Sequence, residues 1–237
     1  MGKNKIKGMD VSAYADYFED VTSLQIVLAI HPSGVTVSKC YYNSGKGIQE
    51  NLVSAALSVI TTFQSEISDQ MGMEVDEEKT GLAAIEEEYK IQTVDYENFS
   101  ITVIDSNLLR IAVISNNRLR DKMREKCVEL LNVYQKNHEY DLLNFSGETT
   151  AFEDFSQVVE KELDGKLNHK CIINHISLLS YDAPKRVRKT LASMYSMEDV
   201  MFPAKIPSIL VREGGLDPKE AQFYTYDAFI SYVIEPK

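Results

Sequence analysis

Apolar and polar positions along this chain repeat with two different periods, and each change of period marks an element. Residues 21–30 (VTSLQIVLAI) form a run of β-branched and long aliphatic side chains with few charges, which predicts a buried strand. Pro32-Ser33-Gly34 follows, with Pro to fix φ and Gly to permit φ > 0, and predicts a tight reversal. Residues 35–42 then alternate, Val35, Val37, Lys39 and Tyr41 against Thr36, Ser38 and Cys40, as a half-buried strand does. The stretch 24–42 is therefore expected to be a β-hairpin. Beyond Gly45 and Gly47 the period lengthens. Apolar residues at 48, 52, 56, 59, 60, 63 and 67 share one helical face, and Val53 and Leu57 lie outside that stripe, so a helix over 48–68 is expected to be buried on two sides.

Residues 69–80 read as a loop, and the window 74–88 has seven acids against Lys79 alone, the pattern of a solvated segment. Three strands are predicted next, at 89–94, 100–104 and 108–115. The connections Asp95-Tyr96-Glu97-Asn98 and Asp105-Ser106-Asn107 are short and rich in turn residues, which predicts an antiparallel meander. A charged helix is expected over 118–137, with Leu119, Met123, Cys127, Leu130, Leu131 and Tyr134 on one face. Another is expected over 152–167, with Thr149-Thr150 before Glu153 as a capping box. The order over 21–167 is thus β-β-α-β-β-β-α-α. That predicts an α+β fold with a five-stranded, mostly antiparallel sheet.

Residues 1–20 are an N-terminal segment in this reading, and 168–237 an extension packed on the sheet domain of 21–167. Within the extension, 171–179 is an apolar run of either type, and 184–197 reads as a helix with Pro in its first turn. Gly214-Gly215 mark a turn before an Asp217-Pro218 helix start. The aromatic-rich stretch 221–234 fits helix or strand.

Composition narrows the function. With 237 residues, a domain of this size buries about 70% of its unfolded surface and needs no metal or disulfide support. A net charge of −11 argues against nucleic-acid binding, which requires a surplus of Lys and Arg. Cys40, Cys127 and Cys171 are odd in number and far apart, as in a reducing compartment. The basic residues 1–8 precede no apolar run, and no run approaches 18 residues, so the expectation is a soluble cytoplasmic protein with at most peripheral membrane contact.

No motif points to catalysis. "SGKG" (44–47) lacks the first Gly and the hydroxyl residue of a phosphate loop, so no nucleotide cofactor is expected. His169, Cys171 and His175 lack the fourth ligand of a structural zinc site, so no metal is expected. No Ser or Cys sits in a nucleophile motif, and consecutive Glu86, Glu87 and Glu88 point different ways, so the chain is read as non-enzymatic. Lys185, Arg188 and Lys189 share a helical face within "APKRVRK". They are candidates to contact an anionic lipid or an acidic partner, against the plainer reading of a solvated helix face.

Three stretches resemble the longin-like family, also called the SNARE-like fold: "VLAIHPSGVTVSKCYY", "NLVSAALSVITTFQSEI" and "LLRIAVISNNRLRDKMREKCVELLNVYQ". They correspond to the hairpin, the first helix, and the fifth strand feeding the second helix, and the resemblance covers about three-fifths of the chain. It implies that strands 35–42 and 89–94 are the sheet edges. It also implies a scaffold or adaptor in a small-GTPase or membrane-trafficking complex, which binds peptides, small GTPases or another longin-like protein, as a homo- or heterodimer among the options. Family members bind through the first helix and the adjacent edge strand. In this chain those positions are Val53 and Leu57 with Tyr89, Ile91 and Thr93; for the two helix positions, burial beneath the C-terminal extension is the competing assignment. The alternative function is a small-molecule sensor of the PAS or GAF kind, which needs an internal cavity with convergent polar groups.

Overall fold

The computed structural model describes residues 10–42, 89–196 and 200–237. The helix expected over 48–68, with Val53 and Leu57, and the acidic window lie outside the described residues. The chain divides into two compact units, Leu24–Leu163 and a second made of the residues up to Ser23 together with Asp164–Lys237.

The first unit is built on one five-stranded antiparallel sheet. Strands β1 (Leu24–Ile30), β2 (Thr36–Tyr41), β3 (Lys90–Asp95), β4 (Ser100–Asp105) and β5 (Arg110–Ser115) lie in the order β2-β1-β5-β4-β3. The edges are therefore β2 and β3, as the resemblance implied. β1 is paired on both sides, and all its residues except Gln25 are buried, which explains the continuous apolar run over 26–30. The predicted reversal closes with the His31 N–H on the Val35 carbonyl (2.9 Å) and the Gly34 N–H on the His31 carbonyl (2.8 Å). Gly34 stands at φ +87°, a conformation that L side chains resist.

Side chains alternate across this sheet. Ile26, Leu28 and Ile30 of β1, Ile101 and Val103 of β4, and Ala112 and Ile114 of β5 form one buried cluster with Phe99 against it. Helix α2 (Asp121–Asn137) packs against β4 and β5. It turns Met123, Cys127, Leu130, Leu131 and Tyr134 inward, the stripe its sequence predicts. It starts three residues later than expected: Arg120 is its N-cap, and Leu119 is buried ahead of it. A short α3 (Glu139–Leu143) follows.

The helix expected over 152–167 is broken. A 3-10 turn (Thr150–Phe152), helix α4 (Phe155–Glu162) and a second 3-10 turn (Gly165–Asn168) replace it. Asp164 takes a left-handed conformation (φ 50°), which ends the helix and coincides with the start of the second unit. The expected capping box does not form. Thr149 makes no capping bond, and the Thr150 hydroxyl turns to Glu148 Oε1 (3.1 Å) instead.

The second unit corrects the N-terminal reading. Residues 11–23 are helix α1 (Val11–Ser23), so the first strand begins at Leu24 and not at Val21. The Asp10 carboxylate caps α1 by accepting the N–H groups of Ser12 (3.0 Å) and Ala13 (3.2 Å). Tyr14, Tyr17, Phe18 and Val21 recur at helical spacing, and α1 packs along α8 (Pro218–Ile230). The residues up to Ser23 and Asp164–Lys237 thus belong to one compact unit. The run 171–179 splits into β6 (Cys171–Ile173) and α5 (His175–Ser180), with Asn174 accepting from the Ile176 and Ser177 N–H groups. Then come α6 (Lys185–Ser196), a 3-10 turn (Pro203–Lys205), α7 (Ile206–Gly214), α8 and β7 (Ile234–Pro236), which pairs antiparallel with β6. Asp217 caps α8 as its sequence suggests, and the stretch 221–234 is mostly helix. The core here gathers Val187, Leu191, Ile206, Leu210, Phe223 and Ile234.

Candidate functional site

An edge strand has one row of backbone groups that its own sheet does not use. In this sheet the two edges differ. At β2 the Lys39 carbonyl points outward and accepts a bond from the Ser156 hydroxyl (3.3 Å), and α4, which carries Ser156, lies against the strand. At β3 all six residues pair with β4, and no described strand or helix pairs with the other side.

The phase of the β3–β4 ladder identifies which groups face outward. The Tyr96 N–H donates to the Phe99 carbonyl (2.8 Å), so these two form a hydrogen-bonded pair at the turn. Antiparallel pairs alternate between hydrogen-bonded and non-hydrogen-bonded. Asp95, Thr93 and Ile91 are therefore in non-hydrogen-bonded pairs with Ser100, Thr102 and Ile104, and direct their N–H and C=O groups away from β4. The Thr93 and Thr102 hydroxyls meet at 3.1 Å, as expected of the closer type of pair. Two of the candidate binding residues, Ile91 and Thr93, thus carry outward backbone groups.

The flanks of the strand are fixed. The Tyr89 hydroxyl donates to Asn132 Oδ1 on α2 (2.7 Å), which anchors the strand start over that helix. At the far end Asp95 accepts from the Ser100 hydroxyl (2.7 Å) and from Arg118 Nη1 (3.3 Å). Beyond it Tyr96 stacks on Phe99 (centroids 4.5 Å apart), with Tyr96 39% exposed. Tyr89, Ile91 and Thr93 are half-buried. A peptide laid here would meet six backbone groups, each contributing about 1 kcal/mol net. That gives weak affinity, so side-chain contacts at Tyr89 and Tyr96 must add to it.

The other candidates fall elsewhere. Lys185, Arg188 and Lys189 are exposed on α6, in the second unit. Cys171 is buried and its thiol donates to the Met201 carbonyl (3.0 Å), with burial pushing it up to about 12. His175 stacks on Tyr195, and His169 is exposed. Among the described residues no group of three or more His, Cys, Asp or Glu is placed to hold a metal ion. Burial also raises the Cys40 thiol, above the lowering effect of bonds with Tyr42 and Ser156, which keeps it a poor nucleophile at neutral pH. His138 Nε2 lies 3.0 Å from Asp154 Oδ1, packed among Tyr134 and Phe152. A recess of about 190 Å³ opens between α3 and the following loop, lined by Tyr140, Phe145 and Phe152 among others. It is below the usual size of a small-molecule site.

Sequence reasoning missed Ser156 and Asn132. Neither stands in a local pattern that marks it, since each acts on a strand distant in sequence. Comparison with family models, with curated proteins and with solved structures finds no match. Among the described residues no helix is long and apolar enough to cross a membrane.

Proposed function

We propose that the chain is a non-enzymatic longin-like scaffold that binds an extended segment of a protein partner by adding it as a strand beside β3. A small GTPase or another longin-like protein in a membrane-trafficking complex is the partner class the resemblance supports. One observation carries this reading: β2 has α4 against it, with the Ser156 hydroxyl on the Lys39 carbonyl, while β3 turns the backbone groups of Ile91, Thr93 and Asp95 outward with no described partner.

Two proline variants test it. Thr93→Pro deletes an outward N–H and leaves the β4 ladder intact, which an edge strand tolerates. Gln92→Pro deletes an N–H bonded to β4 and should cost clearly more stability than Thr93→Pro. Native-lysate capture should recover small GTPases or longin-like proteins with the wild-type chain, and lose them with Thr93→Pro, which should stay folded and lose only the Thr93–Thr102 hydroxyl contact, about 1 kcal/mol. Equal capture by a folded Thr93→Pro, or no such protein recovered with the wild-type chain, would contradict the proposal.

A further inference from the structure

The second unit has a charge pattern unlike the rest of the chain. Residues 165–196 contain six Lys and Arg and a single acid, Asp182, in a protein of net charge −11. Arg186 is engaged, donating to the Gly215 carbonyl (3.2 Å) and pairing with Glu220 (2.9 Å). Lys185, Arg188 and Lys189 are exposed and make no ion pair among the described residues.

Helices α5 and α6 are in contact and are joined by only four residues, Tyr181 to Pro184. They form a hairpin whose far end is pinned where His175 stacks on Tyr195, with ring centroids 4.9 Å apart. The inner side is accounted for by Leu178, Tyr181, Val187, Leu191 and Met194 in the core. The outer side is not. Ile176 is 80% and Leu179 71% exposed, three residues apart on one helical face. The His175–Tyr195 contact sets this face beside the α6 face that carries Arg188 and, two turns on, the 45%-exposed Tyr195.

We propose that the outer face of the α5–α6 hairpin docks on an anionic lipid bilayer. Ile176 and Leu179 enter the acyl boundary, Tyr195 lies at headgroup depth, and Lys185, Arg188 and Lys189 contact the headgroups. Charge complementarity selects an anionic occupant, and two almost bare aliphatic side chains select a bilayer over an acidic polypeptide, whose carboxylates would be poor company for them. The net negative charge of the chain opposes approach only weakly, because charges more than about 8 Å from the headgroups are screened at physiological salt. Each Lys or Arg at the surface strengthens binding about fivefold, so three give roughly a hundredfold, enough for reversible attachment together with the apolar pair.

The experiment is co-sedimentation of the full chain with phosphatidylcholine vesicles, with and without phosphatidylserine. Binding is expected only with phosphatidylserine, and is expected to fall as salt rises. Arg188→Ala with Lys189→Ala should weaken it roughly thirtyfold. Ile176→Ser with Leu179→Ser should weaken it at least about tenfold at unchanged salt dependence. All four sites are exposed, so circular dichroism should find every variant folded. Absence of binding to phosphatidylserine vesicles would overturn the proposal, as would full binding by the Ile176→Ser, Leu179→Ser variant. Binding of a polyglutamate peptide in place of vesicles would also overturn it and assign the face to an acidic protein.

Discussion

At the residue scale, Asp164 concentrates two jobs. It takes φ 50°, where a side-chain oxygen close to the backbone is tolerated, and its Oδ2 accepts the hydroxyls of Tyr17 (3.2 Å) and Tyr226 (2.8 Å). Burial raises the Tyr226 pKa first of all, and the Asp164 charge adds to the shift, so the phenol stays protonated and donating. Asp164→Gly keeps the backbone conformation and removes both acceptors, which should cost about 2–4 kcal/mol in a urea titration, whereas Asp164→Asn should cost about half as much. The buried thiol and phenols also set a pH limit. Cys171 ordinarily ionises near 9.0 and is pushed up to about 12 by burial, and Tyr42, Tyr134 and Tyr181 are raised for the same leading reason. Above the ordinary value the unfolded chain has lost protons that the folded chain still holds, so stability falls as pH rises. The urea midpoint should be flat up to about pH 9 and decline toward pH 12, and Cys171→Ala should flatten the lower part of that decline.

At the element scale, the sheet was readable because its strands announce themselves twice: by β-branched runs such as Ile101–Ile104 and by turn residues such as Gly34 and Ser106. Helix α1 was not, although Tyr14, Tyr17, Phe18 and Val21 hold helical spacing. Val21 also extends the apolar run of β1, and the strand pattern absorbed it. The break in the helix after Glu162 was missed for a related reason, since Asp164-Gly165 interrupts an otherwise apolar period and only its left-handed turn ends the helix. The same limit applies to the candidate site. Alternation placed Ile91 and Thr93 on one side of an edge strand, but which backbone groups face outward depends on the hydrogen-bond phase at Tyr96–Phe99. The bond on the outward Lys39 carbonyl of β2 comes from Ser156, 117 residues away. That α1 is structural can be checked directly. Phe18 is 2% exposed, and Phe18→Ala should destabilise the second unit by about 3–5 kcal/mol, read from hydrogen exchange of α8 amides.

At the scale of the whole molecule, two units carry two surfaces of different chemistry. The sheet unit offers backbone hydrogen bonds at β3 and would recognise a strand from a protein, while the second unit offers cations and bare aliphatic side chains on the α5–α6 hairpin. If both proposals hold, the chain would keep its partner at a membrane surface, and each surface should be disabled by substitutions that leave the other intact. The edge is the central claim, and residue-resolved amide exchange of β3 tests it most directly. In the free protein the amides of Lys90, Gln92 and Val94, bonded to β4, should exchange slowly, and those of Ile91, Thr93 and Asp95 should exchange fast. Addition of the captured partner should slow Ile91 and Thr93 by at least about tenfold, the factor that 1.4 kcal/mol of new protection gives. Slow exchange at Ile91 and Thr93 in the free protein, or no change on adding the partner, would contradict the account.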